Sequence, residues 1–329
     1  MKFNSHDLEK LKALLVPGAE ILVSTHIRPD PDAIGSVLAI REMLLQSGCK
    51  PHIVLEDACP PRCKFLPGAN EIIVFVNIRW GWKAGEFDKV IIVDAGDRER
   101  IGEVAYLINE TAGIVNIDHH RSNEHFGTLN FVYPDTAACG ELLYFLQKAL
   151  SLELTPTLAT NLYAGLVTDT GRFRHSNTTT RSMQVGAALL EAGADASAIT
   201  DHLYFDISAQ DVRNIGIILG TMELHGQGEV CTMLVKLEQS IEDPDHVVDL
   251  ARAINGVEVA ALLSEMHDGK IRVSLRSKSC VDVSEIAESF GGGGHVRAAG
   301  FRMIGALTEV RDTVVPALLK AVTNASKTA

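Results

Sequence analysis

Two carboxylates and a histidine fall within seven residues at His26, Asp30 and Asp32, directly after the apolar run Ile21-Leu22-Val23. Three further clusters follow, Val93-Asp94-Ala95-Gly96-Asp97, Ile117-Asp118-His119-His120 and Val167-Thr168-Asp169-Thr170-Gly171, each at the end of an apolar segment. Imidazole nitrogens grouped with several carboxylate oxygens suit Mn²⁺ or Mg²⁺ better than a thiolate-seeking metal. The chemistry such a set supports is two-metal phosphoester hydrolysis.

The elements that must position these groups alternate in the first half of the chain. Apolar, β-branched runs at 21–25, 52–55, 72–76, 90–93 and 114–117 read as strands, and segments 33–46, 98–109 and 136–150 carry helical periodicity. Near-continuous apolar strands separated by helices predict a parallel sheet with helices on both faces, in which ligands gather at the carboxyl ends of the strands. Helix signals continue at 155–167, 180–192, 196–204 and 209–219. Strand-like segments at 229–237, 257–265 and 271–275 and helices at 244–254, 283–290 and 309–322 predict a second, smaller α/β domain. The expected division is 1–190, a helical linker at 191–225, and 226–329.

Each cluster has a functional and a plainer reading. Pro29 and Pro31 stiffen the turn that carries Asp30 and Asp32; taken alone, Asp32 also reads as a helix N-cap and Asp30 as a solvated turn residue. Asp94 ends the most apolar strand, where a carboxylate is costly unless paired or metal-bound, and is the candidate bridging ligand; Asp97 is the better cap for segment 98–109. Consecutive histidines on an extended segment are expected to point in opposite directions. Hence His119 is assigned to metal, His120 to the scissile phosphate, and Asp118 to orienting its neighbours. Asp169 completes the second metal, its plainer reading being a turn carboxylate beside Gly171.

In this order the clusters resemble the four motifs of the DHH phosphoesterase superfamily, which includes RecJ-type exonucleases and manganese inorganic pyrophosphatases. Gly291-Gly292-Gly293-Gly294-His295-Val296-Arg297-Ala298-Ala299-Gly300 resembles the glycine-rich signature of the associated DHHA1 domain. Together they cover essentially the whole chain, which is most similar to the NrnA-like oligoribonucleases. One departure is Pro31, where that superfamily usually has Gly. The resemblance implies that His26, Asp30 and Asp94 hold one divalent cation and Asp32, Asp94, His119 and Asp169 the other. It further implies a DHH domain followed by a DHHA1 domain that grips substrate in an inter-domain cleft. There Gly292, Gly293, Gly294, His295, Arg297, Arg276 and Arg174 are the expected substrate contacts, with a homodimer as the expected assembly.

Composition narrows the partners. A net charge of −12 and 5% aromatic residues argue against a long nucleic-acid groove, which needs clustered cations and stacking platforms. A nucleotide substrate should therefore be short, and the resemblance to the NrnA-like oligoribonucleases implies very short RNA, cut to nucleoside 5′-monophosphates, or adenosine 3′,5′-bisphosphate. Cyclic di-AMP or pApA is the alternative within the class, and a non-catalytic nucleotide sensor the alternative outside it. The mean hydropathy of +0.12 and the absence of a long apolar run or an export signal lead to the expectation of a cytoplasmic protein with no membrane partner. Six scattered cysteines are expected to be free thiols rather than a zinc clip.

Overall fold

The computed structural model describes residues 1–77, 81–241 and 244–328. The chain divides into two compact units, Met1–Asp206 and Ile207–Ala329.

In the first unit six parallel strands, β1 (Glu20–Ser24), β2 (Lys50–Leu55), β3 (Ile73–Val74), β4 (Phe87–Val93), β5 (Ile108–Asp118) and β6 (Leu129–Val132), lie in the order β3-β2-β1-β4-β5-β6. Its helices are α1 (Ser5–Leu14), α2 (Pro31–Gln46), α3 (Cys139–Ala149), α4 (Pro156–Asp169), α5 (Thr180–Glu191) and α6 (Ala196–Tyr204). Because side chains alternate along a strand, Ile21, Val23, Ile91, Val93, Val115 and Ile117 form one apolar face. That face packs against Ile34, Leu38, Leu142 and Leu162 from α2, α3 and α4. Leu22, Val90, Ile92 and Ile114 form the other face, covered by Phe75, Ile101, Val104 and Leu107. The strand order reverses between β1 and β4, and such a reversal opens a crevice at the carboxyl ends of the strands.

Differences from the expected elements have local causes. Segment 98–109 forms short 3-10 turns over Glu99–Leu107, interrupted at Gly102, because β5 already begins at Ile108. Helix α3 starts at Cys139 rather than at 136, since Ala138 is extended. Strand β6 escaped the sequence reading because its alternation, Leu-Asn-Phe-Val, is that of a short edge strand.

The second unit contains α7 (Ala209–Gly220), β7 (Glu223–His225), β8 (Val230–Val235), α8 (Pro244–Arg252), β9 (Val259–Glu265), β10 (Lys270–Ser277), α9 (Val283–Ser289), β11 (Gly293–His295), β12 (Ala298–Ile304) and α10 (Leu307–Thr328). Its sheet runs β11-β12-β10-β9-β8-β7, antiparallel except for the parallel pair β8–β9. Val273, Leu275 and Leu263 pack against Val310, Val314 and Leu318 of α10, while Met233, Val235 and Leu262 pack against Ile218 and Val248 on the opposite face. Among the described residues no helix is long and apolar enough to cross a membrane. The side chains of Cys49, Cys63, Cys139 and Cys231 are buried, Cys59 is half-buried and Cys280 exposed.

One polar knot fastens the loop after β10 to the start of β9. The Glu258 carboxylate accepts the backbone N–H groups of Ser279 (2.9 Å), Cys280 (2.7 Å) and Val281 (3.0 Å) and the Ser279 hydroxyl (2.7 Å). Burial works against the anion, but these donors outweigh it and pull the Glu258 pKa from 4.5 down to about 2. A depressed carboxylate stabilises the fold fully above its unfolded pKa and loses that contribution as pH falls through the folded value. Unfolding of the Glu258→Gln variant should therefore show a lower midpoint than wild type at pH 7 and a flatter pH dependence between 4.5 and about 2, read by denaturant titration across that range.

Candidate metal centre

Strand β1 delivers the first group of ligands. After Ser24 the chain turns, with Arg28 at φ +53°, its N–H bonded to Asp57 Oδ2, and Ile27 N–H bonded to Arg100 O (2.7 Å). Asp30, not Asp32, is the N-cap of α2: its Oδ1 accepts Ala33 N–H at 3.0 Å, and Pro31 opens the helix. His26 Nδ1 lies 2.8 Å from Ile27 O. A carbonyl can only accept, so Nδ1 carries the proton. Its Nε2 is 3.7 Å from Asp94 Oδ2 and 4.0 Å from Asp30 Oδ2.

Asp94 stands at the end of β4 with φ +54°, a conformation non-glycine residues rarely hold. Its backbone N–H bonds to Ile117 O at 2.9 Å, so the strained peptide is locked between β4 and β5. The carboxylate is 2% exposed, and Oδ1 has no aligned hydrogen-bond donor. His119 Nε2 lies 3.4 Å from it and His120 Nδ1 3.7 Å.

Asp32, in the first turn of α2, is fully buried. It faces the amino end of α3, where Cys139 N–H donates to Oδ2 (2.6 Å) and Gly140 N–H to Oδ1 (3.0 Å). A helix N-terminus offers unpaired N–H groups and a partial positive charge, which suits a carboxylate. Room for the carboxylate comes from Gly165 on α4, where a Cβ would stand 2.1 Å from Asp32 Oδ1. Asp169, the last residue of α4, places Oδ2 3.2 Å from His119 Nε2. His119 Nδ1 lies 3.4 Å from the carbonyl of Thr136, so its Nε2 also faces inward.

All six expected metal ligands thus converge. Ligand-capable atoms of His26, Asp30 and Asp94 lie within 4.8 Å of one another, as do those of Asp32, His119 and Asp169, and those of Asp94, His119 and His120. Crowding shapes their ionisation. Burial, then the charges of Asp169 and Asp94, holds the Asp32 pKa well above the usual carboxylate range. Burial also raises Asp169, to about 6, with His119 opposing and Asp30 and Asp94 adding. Asp94 is buried too, yet His119 and His26 beside it hold its pKa well below normal. For His119, burial favours the neutral ring, but Asp169 and Asp94 reverse that and raise its pKa.

The two adjacent histidines do not point apart as expected. Strand β5 ends at Asp118, so period-two alternation no longer governs the turn, and the rings sit 4.8 Å apart, both facing Asp94. Asp118, fully buried, accepts His120 Nδ1 at 2.6 Å and His119 N–H at 2.8 Å. Burial alone would lower the His120 pKa; the bond to Asp118 raises it.

The expected substrate contacts are dispersed over both units. Arg174 follows α4 in an exposed turn, its Nε donating to Gly171 O (2.9 Å). In the second unit Arg276, on β10, lies opposite Ala298 of β12, and Arg297 donates to Val281 O (2.8 Å), holding two chain segments together. Gly292 and Gly294 are required by packing: a Cβ on Gly292 would be 2.3 Å from Gly300 O, and one on Gly294 2.5 Å from Ala299 Cα. Gly293 opens onto free space. The side chain of His295 lies outside the described residues.

The sequence reading missed Glu141, which is fully buried and accepts Ala137 N–H (2.6 Å) and Arg181 Nε (2.5 Å). It also missed Asn177, whose amide bridges Ala137 O (3.0 Å) and Asp169 O (3.1 Å). Neither carries a motif; their roles depend on contacts distant in sequence.

The donor set fits a pair of divalent cations. Inward Nε2 lone pairs, hard carboxylate oxygens and the unfilled Asp94 Oδ1 are what an N/O-ligated cation requires, and each ligating imidazole has its other nitrogen fixed by an acceptor.

The chain is similar to known proteins along most of its length. The DHH family, N-terminal domain, matches residues 20–166, and the DHHA1 domain matches residues 230–327. A bifunctional oligoribonuclease and PAP phosphatase NrnA from Thermus thermophilus is 34% identical over 96% of this chain and 94% of its own. Its namesake from Bacillus subtilis is 28% identical over 85% and 88%. Among solved structures, an exopolyphosphatase-related protein from Bacteroides fragilis superposes with a TM-score of 0.89 at 23% identity, covering 98% of this chain and 96% of that one.

A ligand that binds only the folded state stabilises it by about 2.7 kcal/mol at a hundredfold excess over Kd. Adding Mn²⁺ or Mg²⁺ to chelator-treated protein should therefore raise Tm by about 5–10 °C. Asp94→Ala should abolish that rise. Gly165→Ala should cost about 1–3 kcal/mol of stability and reduce the cation-dependent shift by displacing Asp32, both read by differential scanning fluorimetry.

Proposed function

The chain belongs to the DHH family of phosphoesterases, with a DHHA1 domain behind its DHH domain, and from that membership we propose that it hydrolyses very short oligoribonucleotides to nucleoside 5′-monophosphates and adenosine 3′,5′-bisphosphate to AMP. Relatives bearing both activities in their names align along most of their length with this chain. The observation that carries the reading is the buried Asp94, whose unfilled Oδ1 lies between the imidazoles of His119 and His120 while His26 faces Oδ2.

In this reading His26, Asp30 and Asp94 hold one cation and Asp32, Asp94, His119 and Asp169 the other, Asp94 serving both. Mn²⁺ is the favoured ion and Mg²⁺ the alternative. A bound pair supplies Lewis acidity, lowering the pKa of water and offsetting charge on the phosphoryl group.

The remaining steps belong to the chain. Helix α3 keeps Asp32 in place through two backbone amides. Asp118 holds Nδ1 of His120 and raises the pKa of the ring, so that Nε2 can donate to a phosphoryl oxygen near neutral pH. Burial of Asp32, Asp94 and Asp118 excludes water from their carboxylates, which strengthens every charge interaction among them. In the second unit Gly293, in an open stretch of backbone, together with Arg276, Arg297 and His295, is proposed to bind substrate phosphates. Short substrates fit the acidic chain, whose net charge of −12 disfavours a long polyanion. We assign the protein to the cytoplasm, where nucleotides of this kind arise.

Incubation with Mn²⁺ and a panel of pApA, a ribonucleotide pentamer, adenosine 3′,5′-bisphosphate, cyclic di-AMP and pyrophosphate tests the proposal. The first three should be consumed, with AMP released from pApA and from the bisphosphate. Turnover of cyclic di-AMP or pyrophosphate alone, or binding without turnover, would overturn it. Asp94→Ala should lower kcat by at least about a thousandfold on every substrate, as expected when an electrostatic centre worth several kcal/mol is lost. Arg297→Ala should chiefly raise KM.

A further inference from the structure

The turn after β5 contains an asparagine that none of the roles above uses. Asn123 is half-buried, and its amide sits behind Asp118. Its orientation is set by a neighbour that can only donate: His125 N–H bonds to Asn123 Oδ1 at 2.7 Å. Nδ2 therefore faces the other way, 2.6 Å from Asp118 Oδ2, 2.8 Å from Asn116 Oδ1 and 3.2 Å from Ala95 O. Asn116, fully buried, completes the network by donating to the same Ala95 carbonyl at 3.1 Å. Glu124 N–H on Gly96 O (2.8 Å) pins the turn to the loop that follows Asp94.

Asp118 has two oxygens with different duties. Oδ1 takes His120 Nδ1 and His119 N–H, whereas Oδ2 takes Asn123. Without the amide, a fully buried carboxylate oxygen would lose its donor, which is costly enough to make the group rotate in search of another. Rotation about Cβ–Cγ would carry Oδ1 away from His120. The Ala95 carbonyl shared by Asn116 and Asn123 lies next to Asp94, so the same two amides link the peptide after the central carboxylate to the imidazole beside it.

We propose that Asn123 is a positioning residue for His120: by filling Asp118 Oδ2 it turns Oδ1 onto His120 Nδ1 and so fixes where Nε2 is presented. Its consequence for turnover rests on the functional reading above, in which His120 contacts the phosphate. The Asn123 side chain reaches the centre through Asp118 and the Ala95 backbone, while its own N–H closes the turn on His120 O at 3.3 Å, a contact that both variants below retain.

Two variants separate this role from simple support of the turn. Asn123→Ala removes both halves of the amide. Asn123→Asp keeps the acceptor for His125 N–H but sets an oxygen against Asp118 Oδ2. Both should lower kcat on pApA by about 10–100-fold, the usual effect of removing a partner that orients a site histidine, with KM changed less than about twofold and the cation-induced rise in Tm retained. The direct readout is the ¹⁵N spectrum of histidine-labelled holoprotein with diamagnetic Mg²⁺, the His120 signal being assigned by its loss in His120→Gln. Wild-type protein should show a protonated, hydrogen-bonded Nδ1 at His120, and both variants should lose that signature.

A wild-type spectrum with Nδ1 unprotonated, an unchanged Nδ1 signal in either variant, or a kcat within twofold of wild type would overturn the proposal. Should wild-type protein leave every substrate of the panel intact, the functional reading fails while the spectra still decide whether Asn123 sets the ring. The wild-type spectrum requires no variant to fold.

Discussion

Negative charge gathered in one dry place governs the first unit. Asp30 and Asp94 share one cluster and Asp32 and Asp169 a second, His119 reaching from the second to Asp94, and Asp32 and Asp94 are buried. At 4 Å, two unit charges of the same sign repel by about 4 kcal/mol at an effective dielectric constant of 20. No arrangement of the protein's own groups removes that repulsion fully. The amides at the start of α3 relieve Asp32 only in part, so that burial and the charges of Asp169 and Asp94 leave it protonation-prone, whereas His119 and His26 hold Asp94 anionic. What remains is a charge deficit matched by divalent cations, and the metal dependence of the family follows from it.

Holding such groups together requires stiff supports. Asp94 and Asp118 hang from the ends of central parallel strands, Asp30 and Asp32 from the first turn of a buried helix, and Asp169 from the last turn of another. Each support is fixed by packing remote from the centre, so a carboxylate cannot drift to relieve repulsion. The strained φ of Asp94 fits this picture: a strand that must turn at once, with its amide tied to β5, leaves the residue no relaxed alternative. The second unit works by a different constraint. Its glycine-rich hairpin is tight because β11 lies so near β12 that side chains on Gly292 and Gly294 would collide with it, leaving Gly293 as an open stretch of backbone.

Membership of the DHH family, supported by matches to both domains and by relatives aligned end to end, places this chemistry in a wider setting. The folded chain adds an order of dependence among its histidines. His26 and His119 each give Nδ1 to a backbone carbonyl, whereas His120 gives Nδ1 to a carboxylate that is itself held from behind. The difference lies in what fixes each ring: a backbone carbonyl leaves Nε2 of His26 and His119 turned toward Asp94, whereas the Asp118 carboxylate holds His120 by Nδ1.

The chain's linear order determined the parallel sheet, the presence of a second α/β unit and the ligand types, because apolar runs, proline-stiffened turns and acidic clusters are local signals. It also placed those clusters at the ends of β1, β4 and β5, since each follows its apolar run directly. Tertiary structure decided the rest. Asp30 rather than Asp32 caps α2 because the buried Asp32 is claimed by the amides of α3, more than a hundred residues away. His119 and His120 converge because the strand ends one residue before them and its alternation ends with it. Glu141, Asn177 and Asn123 gain their roles only from partners brought near by folding, and a residue whose partners are nonlocal leaves no pattern along the chain.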